Sequence, residues 1–155
     1  MSDLIAERRV EFVLVGALAV ECRQLRSHVV KELHSPEEFV SPLQYRQEVR
    51  ELDFAVFMLD KRYSLTASSS VLDAIAASTK ILSLRNPYVC DLRKEDAENG
   101  IVLFDNLADM ERYLRLYIQA GTKDRPCFSE IKKRRSVECT AKTLSSYLVG
   151  PLSRF

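Results

Sequence analysis

The chain has 155 residues, with 23 Lys and Arg set against 22 Asp and Glu, for a formal net charge of +1. That length suits one domain with a real core, and the near-zero charge provides no whole-molecule attraction for nucleic acid or an anionic membrane. No apolar run approaches the ~20 residues that span a bilayer, and the acidic start through Asp3 and Glu7 lacks a secretory pattern, so a cytoplasmic protein is expected.

Cys22, Cys90, Cys127 and Cys139 lie far apart with no C-x-x-C pair, and are read as reduced packing thiols. The two histidines, His28 and His34, offer little material for a zinc site or a Ser-His-Asp triad. No metal and no cofactor is expected.

In chain order, residues 12–16 (Phe-Val-Leu-Val-Gly) read as a buried strand ending on Gly16, which allows a turn or a close backbone approach to a ligand. A single glycine is not a G-x-G-x-x-G dinucleotide fingerprint. Residues 21–33 then predict a helix, with Cys22, Leu25, Val29 and Leu33 on one side and Pro36 as its stop. Residues 39–42 read as a short strand leaving into a loop. Pro42 suits the first turn of a helix over 43–52. Tyr45 on that helix is read as packing or surface, or as reaching towards a pocket.

The central stretch, 53–84, carries the most information. Residues 54–59 (Phe-Ala-Val-Phe-Met-Leu) have the bulk of a buried strand. A polar loop runs from Asp60 to Thr66. Ser68, Ser69 and Ser70 then open a helix with Val71, Leu72, Ile75 and Ala76 apolar, and residues 81–84 form the next strand. Strand, loop, helix, strand is one parallel crossover, and such crossovers place ligands at the carboxyl end of the strand.

A helix start leaves amides unpaired and carries partial positive charge, so a phosphate or pyrophosphate suits it. One serine is explained as an N-cap. Three in succession after a buried strand point to a phosphorylated ligand. Asp73, one turn in, serves the helix dipole or accepts hydrogen bonds from a ribose; Asp60 is a turn former or a catalytic acid.

Residues 85–89 read as a loop with a proline stop, and 91–99 as a charged, solvated excursion ending at Gly100. Residues 101–104 are a further strand. A helix begins at Asp105-Asn106, with Leu107, Met110, Tyr113, Leu114 and Tyr117 inward, and Gly121 ends it. Residues 123–126 read as a linker. Lys132, Lys133, Arg134 and Arg135 form a basic cluster, either a solvated helix face or a phosphate or nucleic-acid patch. A last helix is expected over 137–148, with Leu144, Tyr147 and Leu148 apolar. The alternation predicts an α/β fold of three layers, a mostly parallel sheet with helices on both faces.

Residues 72–82 (Leu-Asp-Ala-Ile-Ala-Ala-Ser-Thr-Lys-Ile-Leu), with the serines before them and Gly100, Phe104 and Asn106 after them, resemble the C-terminal, donor-binding half of GT-B-fold glycosyltransferases. The resemblance covers roughly 11–117. It implies a Rossmann-like nucleotide-sugar-binding domain over 1–120, and a linker and C-terminal helix over 121–155 that pack on it or on a partner domain. It also implies that Gly16, Thr66, Ser68, Ser69 and Ser70 meet a nucleotide-diphosphate sugar, with Asp73 on the ribose. Arg85 is the candidate cation for the diphosphate, with Lys61 and Arg62 nearby. Leu65 stands where the family has a second glutamate. The acceptor and catalytic base would belong to an N-terminal domain or partner polypeptide, so the chain alone would be inactive. Two alternatives stand beside this. One is a small enzyme similar to nucleoside deoxyribosyltransferases, with Asp73 as nucleophile. The other is a non-catalytic protein-interaction module docking through its tail helix.

Overall fold

The computed structural model describes residues 2–7, 9–15, 31–32, 34, 40–59, 68–96, 99–121, 124–139 and 141. Its centre is a parallel sheet of three strands, β3 (Phe54–Phe57), β4 (Lys80–Leu84) and β5 (Ile101–Phe104), in that order. The register sets Ala55 beside Ile81 and Ile81 beside Ile101. Side chains alternate along each strand, so Ala55, Ile81 and Ile101 share one face, and Phe54, Leu82 and Val102 belong to the other.

Each face finds its own helices. The first packs against α2 (Pro42–Glu51), α3 (Ser69–Ala76), α4 (Pro87–Glu95) and the short α6 (Ser129–Arg134), in a core with Val49, Val71, Leu92 and Ile131. The second is covered by α5 (Leu107–Ala120), whose Met110 and Leu114 meet Leu82 and Phe104. The chain is therefore α/β, with a small parallel sheet between helices.

Two features depart from the single sheet expected. Residues 13–14 form β1 (Val13–Leu14), which pairs in parallel with β2 (Lys31–Glu32) in a separate two-stranded sheet. Lys31 and Glu32 were expected at the end of a helix. They are extended instead, because a non-local pairing with β1 overrides the local apolar spacing. The rest of the expected helix over 21–33 lies outside the described residues. So do Phe39 and most of the tail helix, of which 137–139 and 141 are helical. No strand forms at 40–41. Ser41 is instead the N-cap of α2, its Oγ accepting from the Gln44 amide at 3.2 Å, with Pro42 in the first turn.

The second correction is α4. Pro87 was expected to stop an element, and it starts one. Asn86 is the N-cap, its side chain accepting from the Tyr88 amide at 2.9 Å, and Pro87 supplies the helix with a pre-set φ where no amide is needed. Val89 and Leu92, three apart, are fully buried, so the charged residues of 91–96 decorate a packed helix and not a solvated excursion. Leu107, expected inward, is 56% exposed at the first turn of α5.

Two connections are tied by side chains. The Asp96 carboxylate is buried and accepts from the Ile101 amide at 2.8 Å, which locks the α4–β5 turn. The ammonium of Lys80, buried at the amino end of β4, donates to Asp124 at 2.8 Å and lies 5.2 Å from the centre of the Tyr117 ring. Burial works against the charged form of Lys80, but Asp124 and the two tyrosines outweigh it, and its pKa is raised. At the chain start, α1 (Ser2–Ala6) buries Leu4, and Arg115 of α5 grips Asp3 through two bonds of 2.7 and 2.8 Å.

Candidate functional site

Three helices begin at the carboxyl edge of the three-stranded sheet: α3 after β3, α4 after β4 and α5 after β5. A parallel sheet with crossover helices forces this, since each helix must start where the preceding strand ends. The amino end of every helix leaves its first amides without intrahelical acceptors. Three of the helices satisfy one of these with a side chain. Ser41 does so for α2, Asn86 for α4, and Asn106 for α5, accepting from the Asp109 amide at 3.0 Å.

At α3 the arrangement differs. Ser68 occupies the N-cap position in an extended conformation, and its side chain makes no capping bond. Its carbonyl accepts from Leu72, as the first helical bond requires. Ser68 is buried, whereas Ser69 and Ser70 are exposed. The first turn of α3 therefore carries two exposed hydroxylated residues.

Beside this helix start lies a cavity of about 670 Å³. Residues 9–15 form one wall and residues 51–57 the other; Tyr45 and Val49 of α2, Ser70 and Ala74 of α3, and Tyr117 of α5 complete it. It separates β1 from β3, two strands that make no ladder with each other. Its size falls within the ~300–1,000 Å³ of small-molecule sites. The walls are mostly apolar, and Ser70 is the polar group that the uncapped helix contributes. Tyr45 thus does reach the cavity, half-buried, while also packing on the core.

The sequence-predicted site residues separate. Ser70 reaches the cavity; Ser68 and Ser69 stand beside it at the same helix start. Asp73 is half-buried and is not among the lining residues. Arg85 is exposed at the end of β4, its Nε donating to Asp105 at 2.7 Å, and Asp105 raises its pKa. That pair spans the ends of β4 and β5, and Arg85 does not line the cavity. Gly16 and Thr66 lie outside the described residues, as do Asp60, Lys61, Arg62 and Leu65. Val15, which precedes Gly16, lines the cavity.

Two residues not assigned to this site from the sequence lie near Ser68: Tyr88, and Arg135, which was read only as part of the basic cluster 132–135. The hydroxyl of Tyr88, in the first turn of α4, is buried and has no hydrogen-bond partner among the described residues. Burial raises its pKa, opposed by the charge of Arg135 and by the nearby Ser68 amide. Arg135 follows α6. Lys132 of that helix donates to Ser78, beyond the far end of α3, at 2.8 Å. Arg135, just past the end of that helix, lies close enough to Tyr88 for its charge to act on the phenol. Arg135 is exposed and makes no ion pair among the described residues. A phenol and a guanidinium thus stand near the Ser68 end of α3, and neither Tyr88 nor Arg135 lines the hollow.

Among the described residues no three His, Cys, Asp or Glu side chains are grouped as metal ligands. Cys90, Cys127 and Cys139 form no disulfide among the described residues. Among the described residues no helix is long and apolar enough to cross a membrane. No protein-family model, curated protein or solved structure matches the chain.

Proposed function

We propose that this chain binds a nucleotide-diphosphate sugar, as the Rossmann-like donor half of a GT-B-type glycosyltransferase. The acceptor would be held by an N-terminal domain or a partner polypeptide. The observation that carries this is the cavity between β1 and β3, with the uncapped start of α3 at its wall. In open α/β sheets, ligands occupy the crevice at the carboxyl edge where strand order switches. We read the gap between the two sheets, β1-β2 and β3-β4-β5, as the counterpart of that switch.

In this arrangement the diphosphate sits on the first-turn amides of α3, with the hydroxyls of Ser69 and Ser70 as further donors. Arg135 supplies the cation and Tyr88 a phenolic donor. The base or sugar takes the apolar hollow beside Tyr45, Phe57 and Ala74. During transfer, the same amides and guanidinium would stabilise the charge on the departing diphosphate.

The test is thermal unfolding of the chain with UDP, GDP, UDP-glucose, GDP-mannose, phosphate-free nucleosides and deoxynucleosides. A bound diphosphate stabilises by RT ln(1 + [L]/Kd), about 2.7 kcal/mol at a hundredfold excess over Kd. Diphosphates should raise the midpoint and nucleosides should not. No shift with any diphosphate at millimolar concentration, or a shift with deoxynucleosides alone, defeats the proposal.

A further inference from the structure

The two long walls of the cavity are backbone edges. Side chains alternate along a strand, so a strand that lines a hollow with one face contributes every second residue. Here Val13 and Leu14 of β1 and all four residues of β3, Phe54–Phe57, contribute without a gap, so both strands present their edges to it. For β3 the hydrogen-bond pattern gives the same result. The Ile81 amide donates to Gly100 in the strand beyond, so Ile81 and Ser83 turn their backbone groups towards β5, and Lys80, Leu82 and Leu84 turn theirs towards β3. With Val56 beside Leu82, the parallel pattern directs Ala55 and Phe57 to β4. The amides and carbonyls of Phe54 and Val56 then point out of the sheet and into the cavity.

An unpaired strand edge is a template for another strand, and the segment facing this one contains the strand β1. Among the described residues, its Val13 and Leu14 pair with β2. Its near end is anchored: the amides of Arg9 and Val10 both donate to the Leu4 carbonyl, and α1 is held on α5 by Asp3 and Arg115. The segment is thus tethered at its start and carries its own strand partner.

We infer that residues 9–15 are a closing strap, which docks as a fourth strand on the outer edge of β3 and shuts the cavity. Paired strands stand ~4.8 Å apart, which leaves no room between their backbones. Closure and occupancy by a ligand therefore exclude one another. The closed form joins the two sheets in the order β2-β1-β3-β4-β5; a ligand holds them apart. The strap stands on backbone geometry alone, while its competition with a nucleotide rests on the function proposed above.

Residue-resolved amide exchange on the whole chain tests both parts, with UDP as the probe. Without UDP, Phe54 and Val56 should exchange at least about tenfold slower than open-edge amides, yet faster than Ala55 and Phe57, which bond to β4. Val13→Pro and Leu14→Pro each remove one strap amide. At least one should return Phe54 and Val56 to open-edge rates while Ala55 and Phe57, the internal control for folding, stay slow. Saturating UDP should do the same to the unaltered chain. Open-edge rates at Phe54 and Val56 from the start, or slow rates that neither proline changes, overturn the strap. UDP that binds without releasing these amides overturns the exclusion. If UDP does not bind but the prolines act as expected, the strap is supported and the nucleotide is not.

Discussion

The Thr79 hydroxyl donates to the carbonyl of Val49 at 2.8 Å in a fully buried position, joining the turn before β4 to the last turn of α2. Val49 is two residues from the end of its helix, where carbonyls have no intrahelical donor. A hydroxyl from a distant part of the chain supplies it. Thr79→Val keeps the shape and removes the donor, leaving a buried carbonyl unsatisfied. The expected loss is about 1–3 kcal/mol, read from the denaturant midpoint, with Thr79→Ser recovering most of it. A loss below about 0.5 kcal/mol would mean that water reaches the carbonyl.

Gly100 gives a second test of packing. A Cβ at this position would overlap the ring of Phe128 and the side chain of Pro126. Phe128 is 1% exposed and cannot retreat into solvent. Gly100→Ala should therefore cost about 1–3 kcal/mol, the usual range for overpacking. Trimming the ring with Phe128→Leu in the same chain should make the two losses less than additive. Strict additivity would show that the glycine serves another purpose.

Acid should release the start of the chain in a defined order. Arg115 holds the Asp3 carboxyl below the usual carboxylate range, and Lys80 does the same for Asp124. A carboxyl with a depressed folded pKa contributes fully above its unfolded value, near ~3.9. The contribution fades as pH falls below that value and is gone once pH passes the folded value. Amide exchange in α1 should thus be flat from pH 7 to 5 after correction for intrinsic rates, and accelerate below about pH 4. Asp3→Asn should abolish the acid step. Both carboxylates are more than half exposed, at 54% and 70%, so added salt should weaken the effect. An ordinary titration of Asp3 in a carboxyl-detected spectrum would contradict the clamp.

The central sheet was legible because its strands are covered on both faces. Residues 54–57 and 101–104 read as continuous apolar runs, which is how such strands look in sequence. The last long helix was equally legible, since Asn106 and Gly121 mark its ends and Met110 and Leu114 its inner stripe. Failures came where one residue type carries two meanings or where pairing is non-local. Pro87 stops a helix or starts one; the Asn86 side chain decides, and the sequence does not show where that side chain points. Lys31 and Glu32 look helical until β1 claims them. Gly100 was legible as a strand boundary, but its contact with Phe128 is tertiary. Of the site, the serine run was visible because a helix start is a local signal. Arg135 was visible only as part of a basic cluster with two readings, and Tyr88 was not visible, because α6 and α4 bring them together only in the fold.

Tyr88 makes the last prediction, because a buried hydroxyl that makes no well-formed hydrogen bond among the described residues, with only the Ser68 backbone beside it, should behave in opposite ways in stability and in binding. Tyr88→Phe removes a desolvated polar atom and keeps the ring, so the ligand-free chain should gain about 1 kcal/mol. If the phenol is held for a diphosphate, the same change should weaken UDP, a pattern expected where a site trades stability for function. Arg135→Ala removes an exposed charge, and it should leave the unfolding midpoint nearly unchanged. It should weaken UDP about tenfold at low salt, roughly 1.4 kcal/mol, and less as salt rises. Calorimetric titration of both variants separates the roles. A Tyr88→Phe chain that binds UDP as before would reduce the phenol to packing, and an Arg135→Ala chain that does so would remove the guanidinium from the diphosphate.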